Sequence, residues 1–311
     1  MEYITLKNSD LKVSRLCMGG CPMGGYGWGD VQEKDLIEAV QTAIDNGINF
    51  FDTADTYGLG QSEKTLAKGL SRRRGDVIIQ SKFGVRFGKD GTRYDNSPAY
   101  IREALDGTLS RLNTDYVDIY VIHYRDKVTP MEEVVDTLNI LKREGKIRYF
   151  GLSNIDNTTL EEMKPFAGCF VNCQDEYSLA CRKHEVDLLA ARNELGVTPL
   201  TWGSLGQGIL TGKYDRNCAF NKDDRRNRDI YVNFHGDKLL RNLDIVDAMR
   251  PIAESHGVSI AAVAIRFIMD YLKDSVVLVG AKRPSQILGN LESIGWNLTD
   301  DELCLLNDVS Q

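Results

Sequence analysis

Residues 117–123 read Val-Asp-Ile-Tyr-Val-Ile-His, apolar and β-branched almost throughout and ending on an imidazole. A strand with so little alternation has to be covered on both faces, the condition of a strand inside a parallel sheet. Seven further runs have the same character, at 15–19, 48–52, 77–82, 147–153, 170–174, 197–202 and 276–280. Their starts lie about 23 to 40 residues apart, except for one interval of 79 before the last.

Helical patterns fill the intervals. After Asp30, Glu33 has the spacing of a capping box, Leu36, Val40, Ala43 and Ile44 share a face, and Asn46-Gly47 supplies a left-handed stop. Ser97-Pro98 opens a helix carrying Ile101, Leu105, Leu109 and Leu112, and Thr129-Pro130 opens one carrying Val134, Leu138 and Leu141 up to Gly145. Strand, helix, strand at this interval is the βαβ unit, and eight units predict an α/β fold, the (β/α)8 TIM barrel, as a single domain over residues 1–311. The long interval after strand 7 holds an irregular stretch, 203–236, expected to be a lid or binding loop, followed by helical patterns at 239–250 and 259–272. Ahead of the first barrel strand, 3–6 and 11–13 flank Asn8-Ser9-Asp10 as an N-terminal β-hairpin plug.

Composition narrows the partners. The 311 residues carry a net charge of −7, so no general basic field exists for nucleic acid or an anionic membrane, and neither is expected as a partner. Seven cysteines without a C-x-x-C pair point to a reducing, cytoplasmic setting. Four histidines, at 123, 184, 235 and 256, lack metal-binding spacing, so no metal site is expected. No export signal or membrane span is visible.

Several strands stay apolar until they finish on a residue with chemistry: Asp52, Lys82, His123, Ser153-Asn154 and Gln174. In a barrel those C-terminal ends converge on one mouth. Singly, such residues read as solvated charges, packing, or a satisfied hydrogen bonder; together they suggest a reaction. A Tyr57 phenol next to the Lys82 ammonium has its pKa brought toward the working range and serves as an acid. Asp52 offsets the cost of burying the ammonium, and His123 donates a hydrogen bond to a substrate carbonyl.

These residues resemble the aldo-keto reductase family, in its bacterial branch akin to inositol-operon reductases and potassium-channel beta subunits. The likeness is carried by DTADTYG at 52–58 with Ser62-Glu63 following, SKFG at 81–84, SRLNTDYVDIYVIH at 110–123, TPMEE at 129–133, GKIRYFGLSN at 145–154, QDEYS at 174–178 and GILTGKY at 208–214. It implies reduction of an aldehyde or ketone (a sugar, polyol-derived or small aldehyde) with NAD(P)H as hydride donor, and a tetrad of Asp52, Tyr57, Lys82 and His123. It also implies cofactor contacts from Gly20, Cys21 and Asp52, with Ser153, Asn154 and Gln174 on the nicotinamide amide and Trp202 stacked on its face. Gly203 and Ser204 also belong to the cofactor loop, Leu205, Gly206, Gln207 and Lys213 fall along the pyrophosphate, and one of Arg225, Arg226 or Arg228 closes over it. Gly280, Lys282, Gln286 and Asn290 fall at the adenosine end. The helix opening at Pro284, with Lys282 or Arg283, offers a local anion site that favours NADPH, with NADH as the alternative. Two departures stand out: Tyr124-Arg125-Asp126 replaces the Pro-Asp of many relatives after the histidine, and Gln286 sits where some carry Arg.

Three rival readings remain at this level. A Rossmann dehydrogenase would need a G-x-G-x-x-G that the Gly-rich stretch after the first strand does not supply. A Schiff-base aldolase would use Lys82 as nucleophile. A cofactor-binding, redox-sensing regulatory subunit with slow turnover would keep the barrel but not depend on the full tetrad.

Overall fold

In the computed structural model the described residues are 1–25, 27–29, 31–88 and 91–311, the Asn157 side chain excepted. The chain opens with an antiparallel hairpin, β1 (Tyr3–Thr5) and β2 (Lys12–Ser14). Then follow β3 (Leu16–Gly19), α1 (Glu33–Asp45), β4 (Phe50–Asp52), α2 (Gln61–Leu70) and β5 (Ile78–Phe83). A second hairpin, β6 (Val85–Gly88) and β7 (Gly91–Tyr94), precedes α3 (Pro98–Leu112), β8 (Val117–Ile122), α4 (Met131–Arg143) and β9 (Ile147–Ser153). The rest runs α5 (Asn157–Met163), β10 (Phe170–Glu176), α6 (Glu185–Leu195), β11 (Thr198–Trp202), α7 (Gly236–His256), α8 (Ile260–Leu272), β12 (Val276–Gly280), α9 (Pro284–Leu291) and α10 (Asp300–Val309). Eight strands close in the order β10-β11-β12-β3-β4-β5-β8-β9, every pair parallel. The architecture is the (β/α)8 barrel that the strand spacing predicts.

Alternation along the strands sorts side chains into two layers. On β8, Tyr120 and Ile122 join the layer between barrel and helices, whereas Ile119 and Val121 enter the lumen. The lumen is apolar below, where Cys17, Phe50, Ile78, Val171, Leu200 and Val276 meet. Leu6, Leu11 and Val13 of the N-terminal hairpin seal that end, all at most 2 % exposed, each burial stabilising by about 1.5–3 kcal/mol. Asn8 fastens the plug by donating to the carbonyls of Phe170 and Gly196 at 2.8 and 3.1 Å.

Helix boundaries follow local chemistry with one adjustment. Ser97 caps α3 by accepting from the Tyr100 amide. At α1 the proposed cap Asp30 lies outside the described residues, and the helix enters from Gln32 without a side-chain cap. A complete capping box forms instead at α10, between Thr299 and Glu302. The β6–β7 hairpin is absent from the sequence expectations, and it rises beside the mouth of the barrel. Among the described residues no single helix is long and apolar enough to cross a membrane.

Candidate active site

Asp52 ends β4, Tyr57 lies in the turn before α2, Lys82 is the penultimate residue of β5, and His123 directly follows β8. Neighbouring strands bring them together although they span 72 positions. The Lys82 ammonium donates to both Asp52 oxygens at 2.7 Å, to the Thr53 carbonyl at 2.9 Å and to the Tyr57 hydroxyl at 3.2 Å. Tyr57 and His123 meet edge to face with centroids 6.0 Å apart.

Burial dominates the electrostatics. The Tyr57 phenol is pushed well above its ordinary pKa, first by burial and then by the Asp52 charge. The expectation that Lys82 brings this pKa into the working range is therefore corrected: in the free protein desolvation and Asp52 outweigh the ammonium. His123 is pushed well below its ordinary value by burial and then by Lys82, so its ring is neutral at physiological pH. Asp55, two residues before Tyr57, rises to about 7, chiefly through burial and then through Glu63.

The Ser62-Glu63 pair has a bracing role. The Ser62 hydroxyl donates to the Gly20 carbonyl and shares a hydrogen bond with Thr53, both at 2.8 Å. A Cβ on Gly20 would come within 2.6 Å of that hydroxyl and 2.7 Å of the Asp52 carbonyl, so only glycine fits between β3 and β4 there. Glu63, fully buried, accepts from Ser81 at 2.7 Å and Arg111 at 2.5 Å, fixing the outer face of β5 next to Lys82.

Around the mouth lie the residues that the resemblance gives to a nicotinamide cofactor. Asn154 donates to the His123 carbonyl at 3.1 Å and to Ser153 at 3.0 Å, and accepts from the Trp202 indole at 3.2 Å. Gln174 turns its amide nitrogen to Asp52 at 3.1 Å, and Cys21 is half-buried close to Tyr57. Gly203 and Gly206 are left-handed; the Ser204 hydroxyl is buried on Thr201, so only its backbone is offered outward. Leu205 packs on the core, and Gln207 bridges Glu176 and Asn233. Gly280 packs against Pro22. Gln286 accepts from the Lys282 amide at 2.7 Å and so shapes the turn into α9. Two features fit a bound dinucleotide. The buried Asn290 amide nitrogen has no partner among the described residues. Lys213, Arg226 and Arg283 act on Lys282 just ahead of α9, with Asp224, ion-paired to Arg226, among them; burial followed by Arg226 and Arg283 lowers the Lys282 pKa.

The Gly-rich stretch after β3 meets the long loop after β11. The Arg225 amide donates to the Gly27 carbonyl at 2.8 Å, Trp28 meets Tyr231 edge to face at 6.0 Å, and Lys282 donates to the Trp28 carbonyl at 2.6 Å. On the other side, Tyr124 stacks between His123 at 4.9 Å and Tyr94 of β7 at 5.1 Å. Arg125 faces away, its guanidinium bidentate on Glu162 at 2.6 and 3.0 Å. Sequence reasoning missed Tyr94 altogether.

The profile described as the Aldo/keto reductase family matches residues 15–311. The chain belongs to this family. Its members are oxidoreductases that act on small carbonyl compounds with nicotinamide cofactors. Aldo-keto reductase YhdN of Bacillus subtilis is 32% identical, over 99% of this chain and 93% of that protein. An Escherichia coli protein named NADH-specific methylglyoxal reductase is 31% identical, over 100% and 99%. The solved glycerol dehydrogenase of Gluconobacter oxydans superposes with a TM-score of 0.88 at 30% identity, covering 99% of this aldo/keto reductase and 94% of that chain.

Proposed function

We propose that this chain, as one domain, is an NADPH-dependent reductase of aldehydes or ketones in which Tyr57 is the proton donor. The observation that carries the reading is the Lys82 ammonium, fixed by Asp52 and donating to the Tyr57 oxygen at 3.2 Å. Because the ammonium occupies a lone pair of that oxygen, the phenol's own proton is directed elsewhere, toward a substrate carbonyl at the mouth.

When bound, the cofactor supplies a hydride to the carbonyl carbon. The Tyr57 proton goes to the carbonyl oxygen, giving an alcohol, and the phenolate left behind faces Lys82. A raised phenol pKa suits this order: Tyr57 keeps its proton until negative charge develops on the substrate oxygen, and an alkoxide is the stronger base. Neutral His123 donates one hydrogen bond to the same oxygen and orients it. Ser153, Asn154, Gln174 and Trp202 would hold the nicotinamide, with Gly20 and Cys21 beside it. The 203–207 segment, Lys213 and Arg225 would follow the pyrophosphate, and Gly280, Lys282, Gln286 and Asn290 the adenosine.

Lys213, Arg226, Lys282 and Arg283 leave this cluster net positive with Asp224 among them, which supports a 2′-phosphate, hence NADPH over NADH. The Escherichia coli relative's name carries the opposite preference, so the two cofactors need direct comparison. The test is steady-state oxidation of NADPH and of NADH with aldoses, ketoses, inositol-derived ketones, methylglyoxal and aromatic aldehydes. Turnover with a higher kcat/KM for NADPH is expected. Tight cofactor binding with negligible turnover across the panel would favour a regulatory subunit instead.

A further inference from the structure

Two lumen residues that the proposed reaction leaves unused are joined to its centre. Gln80 lies two positions before Lys82 on β5, so both side chains enter the lumen. Its amide nitrogen donates to Asp52 Oδ1 at 2.7 Å, and its oxygen accepts from the Asn172 amide at 2.6 Å. Gln80 and Asn172 are completely buried. The polarity of this chain of amides is fixed by chemistry: an ionised Asp52 only accepts, so Gln80 must present nitrogen to it and oxygen to Asn172.

Asn172 comes from the far side of the barrel, since β8 and β9 separate β5 from β10. Two irregularities let it reach. The β9–β10 register shifts between Phe170 and Cys173, the geometry of a bulge that re-aims a side chain. Gly151 of β9 then leaves room: a Cβ there would fall 2.0 Å from the Asn172 amide oxygen.

We propose that Gln80 and Asn172 form a transverse tie that positions Asp52 and spreads its charge, so that the Lys82 ammonium remains available to Tyr57. Asp52 Oδ1 accepts from Lys82, Gln80 and Gln174. Each neutral donor lowers the hold of the carboxylate on the ammonium and its repulsion of a phenolate on Tyr57. Gln80 is a positioning residue; it touches neither the hydroxyl of Tyr57 nor the place of a substrate.

This inference rests on the proposed role of Tyr57, and two readouts separate the two. The first is the pH profile of kcat in the alcohol-oxidising direction, at saturating cofactor, for wild type, Gln80→Met and Gln80→Glu. Loss of one hydrogen bond to a charged group predicts a kcat lower by roughly tenfold or more in Gln80→Met, with substrate KM within about twofold. The rising limb, on which Tyr57 loses its proton and becomes able to accept that of the alcohol, moves to higher pH, and further in Gln80→Glu. The second readout needs no turnover: the carbon NMR resonance of Cζ-labelled Tyr57, assigned by its loss in Tyr57→Phe, shifts in Gln80→Met. If wild type reduces no carbonyl yet this resonance moves, the tie stands and the reductase reading falls. A wild type that turns over, with profile and resonance unchanged in the variants, overturns the tie. Should Gln80→Met fail to fold, Asn172→Ala, which removes only the far end, carries both measurements with smaller shifts of the same sign.

Discussion

Lys82 donates to both carboxylate oxygens of Asp52 at 2.7 Å, and neither side chain is more than 2 % exposed. Such a pair is costly to leave half made. Lys82→Met strands a carboxylate in the lumen, and the unfolding free energy in urea is expected to fall by ~3–5 kcal/mol. Adding Asp52→Asn restores most of it without restoring turnover. A double variant no more stable than Lys82→Met alone would show that the two charges do not depend on each other.

Tyr57→Phe keeps the ring between Lys82 and His123 but removes the hydroxyl that accepts from Lys82. Turnover is expected to drop by about 10²–10⁴-fold, with NADPH affinity by fluorescence quenching unchanged. Near-normal turnover would remove Tyr57 from the role of proton donor.

Asp55 gives stability a distinctive pH dependence. Its carboxyl is raised from 3.8 to about 7, with burial as the main cause. Between these values the folded state holds a proton that the unfolded state has lost, so this group's contribution falls as pH rises from about 4 through about 7. Asp55→Asn abolishes that penalty. The variant should gain roughly 2–4 kcal/mol over wild type on going from pH 4 to pH 8, read from urea unfolding at both pH values. His123 acts in the opposite sense: its lowered pKa destabilises the fold as pH drops below about 6.5, so His123→Asn flattens the acid side.

How far the sequence carries the site follows from where the information resides. Asp52, Lys82 and His123 are legible because a polar residue closing an apolar strand has one destination in a barrel. The signal for Gln80 is present as well, an amide directly after Val77-Ile78-Ile79, and period two puts it on the face of Lys82. Asn172 was not legible, because a bulge shifts its face and only register reveals a bulge. Nor was the β6–β7 hairpin: Gly84, Gly88 and Gly91 break the run, and Phe87 and Tyr94 are more than 45 % exposed, so no buried alternation marks the strands. The sign of the Tyr57 shift was out of reach for another reason. It depends on desolvation, which outweighs the neighbouring ammonium and which no spacing encodes.

Tyr94 and Tyr124 lie 5.1 Å apart at 16°, and Tyr124 continues onto His123, so three rings form one wall beside the point of proton transfer. Because Arg125 is turned to Glu162, this wall presents aromatic edges rather than charge to a substrate. An aromatic carbonyl compound gains edge-to-face contact there that a small aliphatic one does not, worth about 0.5–1.5 kcal/mol. Tyr94→Ala frees Tyr124 from its outer support and Tyr124→Ala removes the middle ring. Either change should lower kcat/KM for an aromatic aldehyde by about three- to tenfold while leaving methylglyoxal nearly unaffected. The comparison to make is the ratio of the two kcat/KM values in each variant, since a general loss of folded enzyme cancels in that ratio. Equal losses for both substrates would mean that the wall supports His123 without reading the substrate.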